Sequence, residues 1–223
     1  MLNFPKTTEF GRRIPKQKFY EHLDVTPELR RMFVDQVKLI TWQNKLSAQT
    51  MNLAPGQIVT EIEVFRLRLQ GQEIDSGVLR LMDKQIPYHI LFLLERDGGE
   101  GKLWISYKEA SQAGSNAFQL RQTYHTSWMP LDDLTLELHA LDMDGLYESI
   151  VRQIAGDTIA APAAESLKKA VEQTREKEKL QRQIEQLKAK MKKEKQLGKQ
   201  MELRREIRRL EVSKRDSSNN AKI

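Results

Sequence analysis

Hydrophobic positions change their period several times over the first two thirds of the chain and then keep a helical period to the end. Around position 26 the run Thr26-Pro27-Glu28 supplies a capping hydroxyl, a proline suited to the first helical position and an acid for the first turn. Leu29, Met32, Phe33 and Val37 follow at helical spacing, so a helix begins here. Residues 37–42 turn β-branched and aromatic, which predicts a strand ending near Asn44. Residues 58–69 read as a second strand: Ile62 and Val64 share one face and Phe65, Leu67 and Leu69 the other, a change of phase that a bulge near Val64 would explain. A cap at Ser76 ahead of Val78, Leu79 and Met82 predicts a short helix over 76–84, stopped by Pro87.

The run 89–94 is almost unbroken apolar and short, as in a central strand covered on both faces. Residues 96–101 form a turn. The strand after it, 102–107, puts Leu103, Ile105 and Tyr107 on one side and Trp104 on the other. Residues 118–128 read as a further strand, and Leu146, Ile150 and Ile154 mark a last helix capped by Asp142 or Asp144 and stopped by Gly156. Residues 1–13, polar with scattered Phe4 and Phe10, suggest an arm lying on the domain. Helix, two strands, helix, three strands and helix together predict an α+β fold on a largely antiparallel sheet with flanking helices.

Beyond Pro162 the pattern is different. Leu180, Ile184, Leu187 and Met191 follow the four-three-four spacing of a coiled-coil seam, and Leu203, Ile207 and Leu210 make a second seam out of register with the first. One long helix is favoured over a hairpin near Gly198, because a lone glycine costs a helix only about 1 kcal/mol and no proline accompanies it. The expected organisation is a globular domain over 1–160, a charged coiled-coil helix over 161–212 and a disordered tail over 213–223. A helix of this kind cannot bury its seam alone, so pairing with another copy or a different protein follows.

Composition sharpens this division. All 15 aromatic residues lie at or before Tyr147. From Ala161 onward 19 Lys or Arg stand against 10 Asp or Glu, so the net charge of +6 on the 223-residue chain belongs to its C-terminal part. The absence of cysteine excludes disulfides, thiolate metal sites and cysteine nucleophiles. No signal peptide and no membrane-length apolar run is visible, which predicts a cytoplasmic protein without membrane contact.

Catalytic signatures are sparse. In Gly98-Gly99-Glu100-Gly101-Lys102 the position five before Gly101 is Arg96, and Leu103 stands where a phosphate loop has a hydroxyl residue, so the cluster reads as a hairpin turn. The histidines His22, His89, His125 and His139 show no metal spacing. His89 reads as a core imidazole, whereas His125, at a strand end rich in hydroxyls and aromatics, is the best candidate for a cleft. One enzymatic reading has structural logic: a restriction-endonuclease type of nuclease in which Glu61, Glu63 and Glu95 hold Mg²⁺ and Lys108 assists the attacking water. No other cofactor is called for, and outside that reading no metal site is predicted. In the C-terminal part Arg204, Arg205, Arg208 and Arg209 form one stripe that suits sequence-independent contact with nucleic acid, since no aromatic is present to stack on bases. The bland alternative is the solvated face of a coiled coil.

The segments 13–20 (RIPKQKFY), 60–65 (TEIEVF), 86–92 (IPYHILF), 107–111 (YKEAS) and 124–126 (YHT) resemble a bacterial and archaeal family catalogued as a domain of unknown function, number 4391. The resemblance covers essentially the whole chain. It implies a place near helicase and DNA-methyltransferase genes in restriction-like, antiphage defence loci, and it supplies no catalytic residues. The leading expectation is therefore an accessory interaction protein, not itself an enzyme, that docks a nucleic-acid-processing partner and pairs through its C-terminal helix. A metal-dependent nuclease subunit is the alternative.

Overall fold

In the computed structural model, which describes residues 2–20, 25–110, 118–159 and 166–219, the aromatic and β-branched runs become strands of one mixed sheet. β1 (Glu9–Ile14), β2 (Val37–Ser47), β3 (Glu61–Leu69), β4 (His89–Arg96), β5 (Glu100–Ala110) and β6 (Phe118–His125) lie side by side in chain order. The short β7 (Met129–Pro130) also pairs with β5. The helices are α1 (Gln17–Tyr20), α2 (Pro27–Gln36), α3 (Ala48–Met51), α4 (Ser76–Gln85), α5 (Met143–Ala155), α6 (Leu167–Lys193) and α7 (Leu197–Asn219). Neighbouring strands run antiparallel except β3 and β4, which α4 joins as a parallel pair by crossing back over the sheet. The architecture is α+β, with a long charged helix, α6, in the C-terminal part.

Local chemistry explains most boundaries. The Thr26 hydroxyl accepts the Leu29 amide at 3.3 Å and opens α2 with Pro27 at its first position. The cap of α4 is Asp75 instead of Ser76, its carboxylate accepting the Gly77 amide at 2.7 Å. Asp142 does the same for the Gly145 amide at the start of α5. Two expectations change. The N-terminal arm is partly β1, an edge strand paired with β2. The bulge expected in β3 belongs to β2, where Gln43 is the extra residue between the pairs Trp42–Phe65 and Asn44–Val64. β3 needs no bulge, because both of its faces are buried and each carries its own apolar stretch.

Four rings occupy one row across the sheet: Trp42, Phe65, Phe92 and Trp104 are register partners on β2, β3, β4 and β5. Their centroids are 6.0, 6.3 and 5.4 Å apart, and Phe10 on β1 extends the row to Trp42 at 4.2 Å. Above this face α2 and α4 contribute Phe33, Val78, Leu79 and Met82 to the same core. Alternate residues such as Leu91, Leu93, Leu103 and Ile105 turn to the other face, and α5 packs on β5 and β6.

The chain divides into two units, Met1–Ala155 and Gly156–Ile223. In the second, the single helix expected through Gly198 is a hairpin: α6 stops at Lys193 and α7 starts at Leu197. Glu194, the C-cap of α6, closes the turn, its Oε1 accepting the amides of Lys195 at 2.8 Å and Gln196 at 2.9 Å just ahead of α7. Gly198 falls inside the first turn of α7 and is not the break. The physical reason is burial: Ile184 is 1% and Ile207 5% exposed, so two seams that one straight helix would leave wet close on each other. Lys188 to Glu211 at 2.8 Å and Lys214 to Gln181 at 2.6 Å stitch the flanks. The helix also runs through 213–219, where a disordered tail was expected; residues 161–165 and 220–223 lie outside the described residues.

The seam therefore gives no reason to expect a dimer, since its residues are used within one chain. Replacing Ile184 and Ile207 together by Lys should melt the hairpin, seen as lost helicity by circular dichroism and fast amide exchange over 167–219, at unchanged sedimentation mass. A halved mass would return the seam to a second copy.

Candidate functional site

Lys108 on β5 is buried, and its ammonium sits among three oxygens. Its Nζ lies 2.7 Å from Asp83 Oδ1 and donates to the carbonyls of Asp83 and Tyr88, each at 2.7 Å. The last carbonyls of a helix lack partners of their own, and a cation is favoured there, so Lys108 closes the C-terminal end of α4 and the link into β4. Burial lowers the Lys108 pKa and raises that of Asp83, and the attraction between the two opposes both shifts. Beside it, the β5–β6 register shifts between Tyr107 and Lys108. There the Tyr147 hydroxyl from α5 accepts the Lys108 amide at 3.0 Å and donates to the Ser106 carbonyl at 2.7 Å. His89 sits between the rings of Tyr147, 4.3 Å away, and Phe118, 4.6 Å away. Burial, helped by the Lys108 charge, pushes it down to about 3, so it is a neutral core imidazole.

The carboxylates proposed for Mg²⁺ are divided between two faces of the sheet. Glu61 and Glu63 share the face of Phe65. Glu61 pairs with Lys45 at 2.9 Å, and Glu63 accepts the Trp42 indole N–H at 2.7 Å. Burial and the neighbouring Glu61 charge raise Glu63 to about 7 against the pull of the indole bond. Glu95 projects from the opposite face, where its Oε2 takes both Nε and Nη2 of Arg66 at 2.7 Å and its Oε1 lies 3.8 Å from Arg68. Among the described residues no three His, Asp or Glu gather where they could hold a metal ion. With Lys108 turned to Asp83 and the carboxylates on two faces, the sequence-selected acids and lysine do not assemble one centre.

The remaining candidates are separate. His125 is exposed on β6 opposite Trp104, its Nδ1 3.1 Å from the Thr126 carbonyl. His139 is exposed in the segment before α5, and His22 lies outside the described residues. The glycine cluster is a hairpin turn that needs glycine, with φ of +103° at Gly98 and +77° at Gly99. Asp83, Trp42, Arg66 and Tyr147 carry the polar contacts described above, and sequence reasoning passed over all four. A signal existed for Asp83: it stands four residues after Leu79 and next to Met82 on the buried face of α4, where a carboxylate needs a buried cation.

On the hairpin, Arg204, Arg205, Arg208 and Arg209 are exposed, and none has an ion-pair partner among the described residues. Two ion pairs lie elsewhere on the hairpin, Lys188 with Glu211 and Arg182 with Glu178 at 3.3 Å. The Arg stripe and the two apolar seams thus separate cleanly, the seams inside and the guanidiniums outside.

The class defined by these features is an α+β sheet domain followed by a basic helical hairpin, with Lys108, Glu61 and Glu95 each held by a neighbouring counter-charge. The chain belongs to the family described as domain of unknown function DUF4391, whose model matches residues 2–213. No curated protein and no solved structure matches it. Among the described residues no helix is long and apolar enough to cross a membrane.

Two predictions follow the buried charges. Lys108→Met and Asp83→Leu should each cost about 3–5 kcal/mol in urea unfolding, because each strands the other charge, whereas the double variant should cost far less than their sum. For Glu63, the folded carboxyl keeps its proton to about pH 7 while the unfolded one releases it near 4.5. The folded state therefore binds more protons between these values, and its stability falls as pH rises through that window. Glu63→Gln, which keeps an oxygen for the indole, should exceed the parent by about 2 kcal/mol at pH 8 and match it at pH 4.

Proposed function

We propose that this protein is an accessory interaction protein of bacterial restriction-like or antiphage defence systems, which docks a nucleic-acid-processing partner such as a helicase or a DNA methyltransferase. The observation that carries the reading is the exposed arginine stripe of the hairpin. In the sheet domain Lys108, Glu61, Glu63 and Glu95 are each bound to a neighbour, as scaffold groups are. The hairpin, already closed on its own seam, instead presents four unpaired guanidiniums to whatever approaches. Such a surface suits acidic partners. The defence setting comes from the neighbours that family resemblance implies. Direct contact with DNA, where it occurs, runs through the same arginines and is indifferent to sequence.

The test is recovery of the tagged full chain from its own cells, with mass spectrometry of what elutes before and after nuclease treatment. A helicase or methyltransferase retained after treatment is the expected result. Recovery of the chain alone, or of proteins lost once DNA is digested, would overturn the reading.

A further inference from the structure

Three aliphatic side chains on α7 stand in water although the hairpin has a seam to bury them in: Leu197 is 73%, Met201 53% and Val212 55% exposed. Steps of four, seven and four residues from Leu197 through Met201 and Arg208 to Val212 keep one side of a helix. Arg204 and Arg205 lie on the same side, one turn before Arg208, and Arg209 at its margin. Between Leu197 and Val212 one acid, Glu211, falls at the edge of this side, three residues after Arg208. Glu202 and Glu206 point to the other flank, where they line a cleft with Lys190, Lys193 and Lys199. Glu211 is turned toward α6 by its bond to Lys188.

We propose that this side of α7 is the docking face for an acidic amphipathic helix of a partner protein; the inference rests on the interaction reading above and gives the partner's chemistry. Phosphate contact needs only cations, and exposed Leu, Met and Val gain nothing against a sugar–phosphate strand. Aliphatics interleaved with arginines at helical spacing instead match a surface that alternates apolar side chains with carboxylates at the same period. A guanidinium fork meets a carboxylate through two parallel hydrogen bonds, which fixes register as well as attraction. The face runs about 22 Å from Leu197 to Val212 at the helical rise of about 1.5 Å per residue. A partner helix of about four turns would cover it and make a third helix against the hairpin.

The probes are a labelled helical peptide with Leu at four-three spacing flanked by Glu, a scramble of identical composition, and a 20-base-pair duplex DNA, each titrated into the full chain by fluorescence anisotropy. The amphipathic peptide should bind at least tenfold tighter than its scramble. Leu197→Ser with Met201→Ser should weaken peptide binding tenfold or more and leave DNA binding unchanged. Arg205→Gln with Arg208→Gln should weaken both and flatten the salt dependence. Circular dichroism checks that the hairpin persists, as substitution of exposed residues predicts. Equal binding of peptide and scramble, no binding of either, or indifference to the Leu197 and Met201 changes would overturn the proposal. So would a concentration-dependent dimer abolished by the same pair, which would make the occupant a second copy. If a nucleic-acid enzyme still co-purifies with the Leu197 and Met201 variant, the interaction reading stands and this face is not its seat. If none co-purifies with the parent, that reading fails while the peptide result stands by its own measurement.

Discussion

The row of rings from Trp42 through Phe65 and Phe92 to Trp104 sets the register of four strands, and the remaining chemistry of the domain depends on it. A slip of one residue on any of these strands would turn its ring to the opposite face and every neighbour with it. With the row in place, Glu61 and Glu63 lie on the same face as the rings and Glu95 on the other. The ring row also constrains chain direction. β3 and β4 share it while running parallel, so α4 must span the sheet between them and reach the start of β4 at a defined point.

Lys108 meets that requirement. Its ammonium ties α4 to the entry of β4, and its backbone amide ties β5 to α5 through the Tyr147 hydroxyl. A buried ion pair is a weak source of net stability, because desolvation offsets most of the attraction. Its value here is positional: apolar side chains could fill the space but could not hold two carbonyls and a carboxylate at once. The same three oxygens hold the ammonium inside the domain.

Asp144 on α5 accepts the amides of Gln57, Ile58 and Val59 and occupies what would otherwise be an anion-binding loop, and Gly56 beside it leaves no room for a Cβ. In the hairpin, α6 and α7 satisfy their seam and leave the cations of one side of α7 uncompensated. Clustered like charges repel one another, so this stripe works against the hairpin's own stability.

Much of the domain was legible from local pattern: the Thr26-Pro27 helix start, the buried run at 89–94, the glycine turn and the last helix each rest on neighbours within a few residues. The hairpin was written in the chain as well. Leu187 and Leu203 stand equally far from Lys195, as do Leu180 and Leu210, and such mirrored seams pair by folding back. The break itself falls at Glu194, whose carboxylate holds the turn amides, and not at Gly198. Other features had no local trace. Whether Glu61, Glu63 and Glu95 meet, which carbonyls Lys108 holds, and which face an acid takes depend on strand order and register between segments up to tens of residues apart. Periodicity records how a segment alternates, and only the assembled sheet decides which alternations face one another.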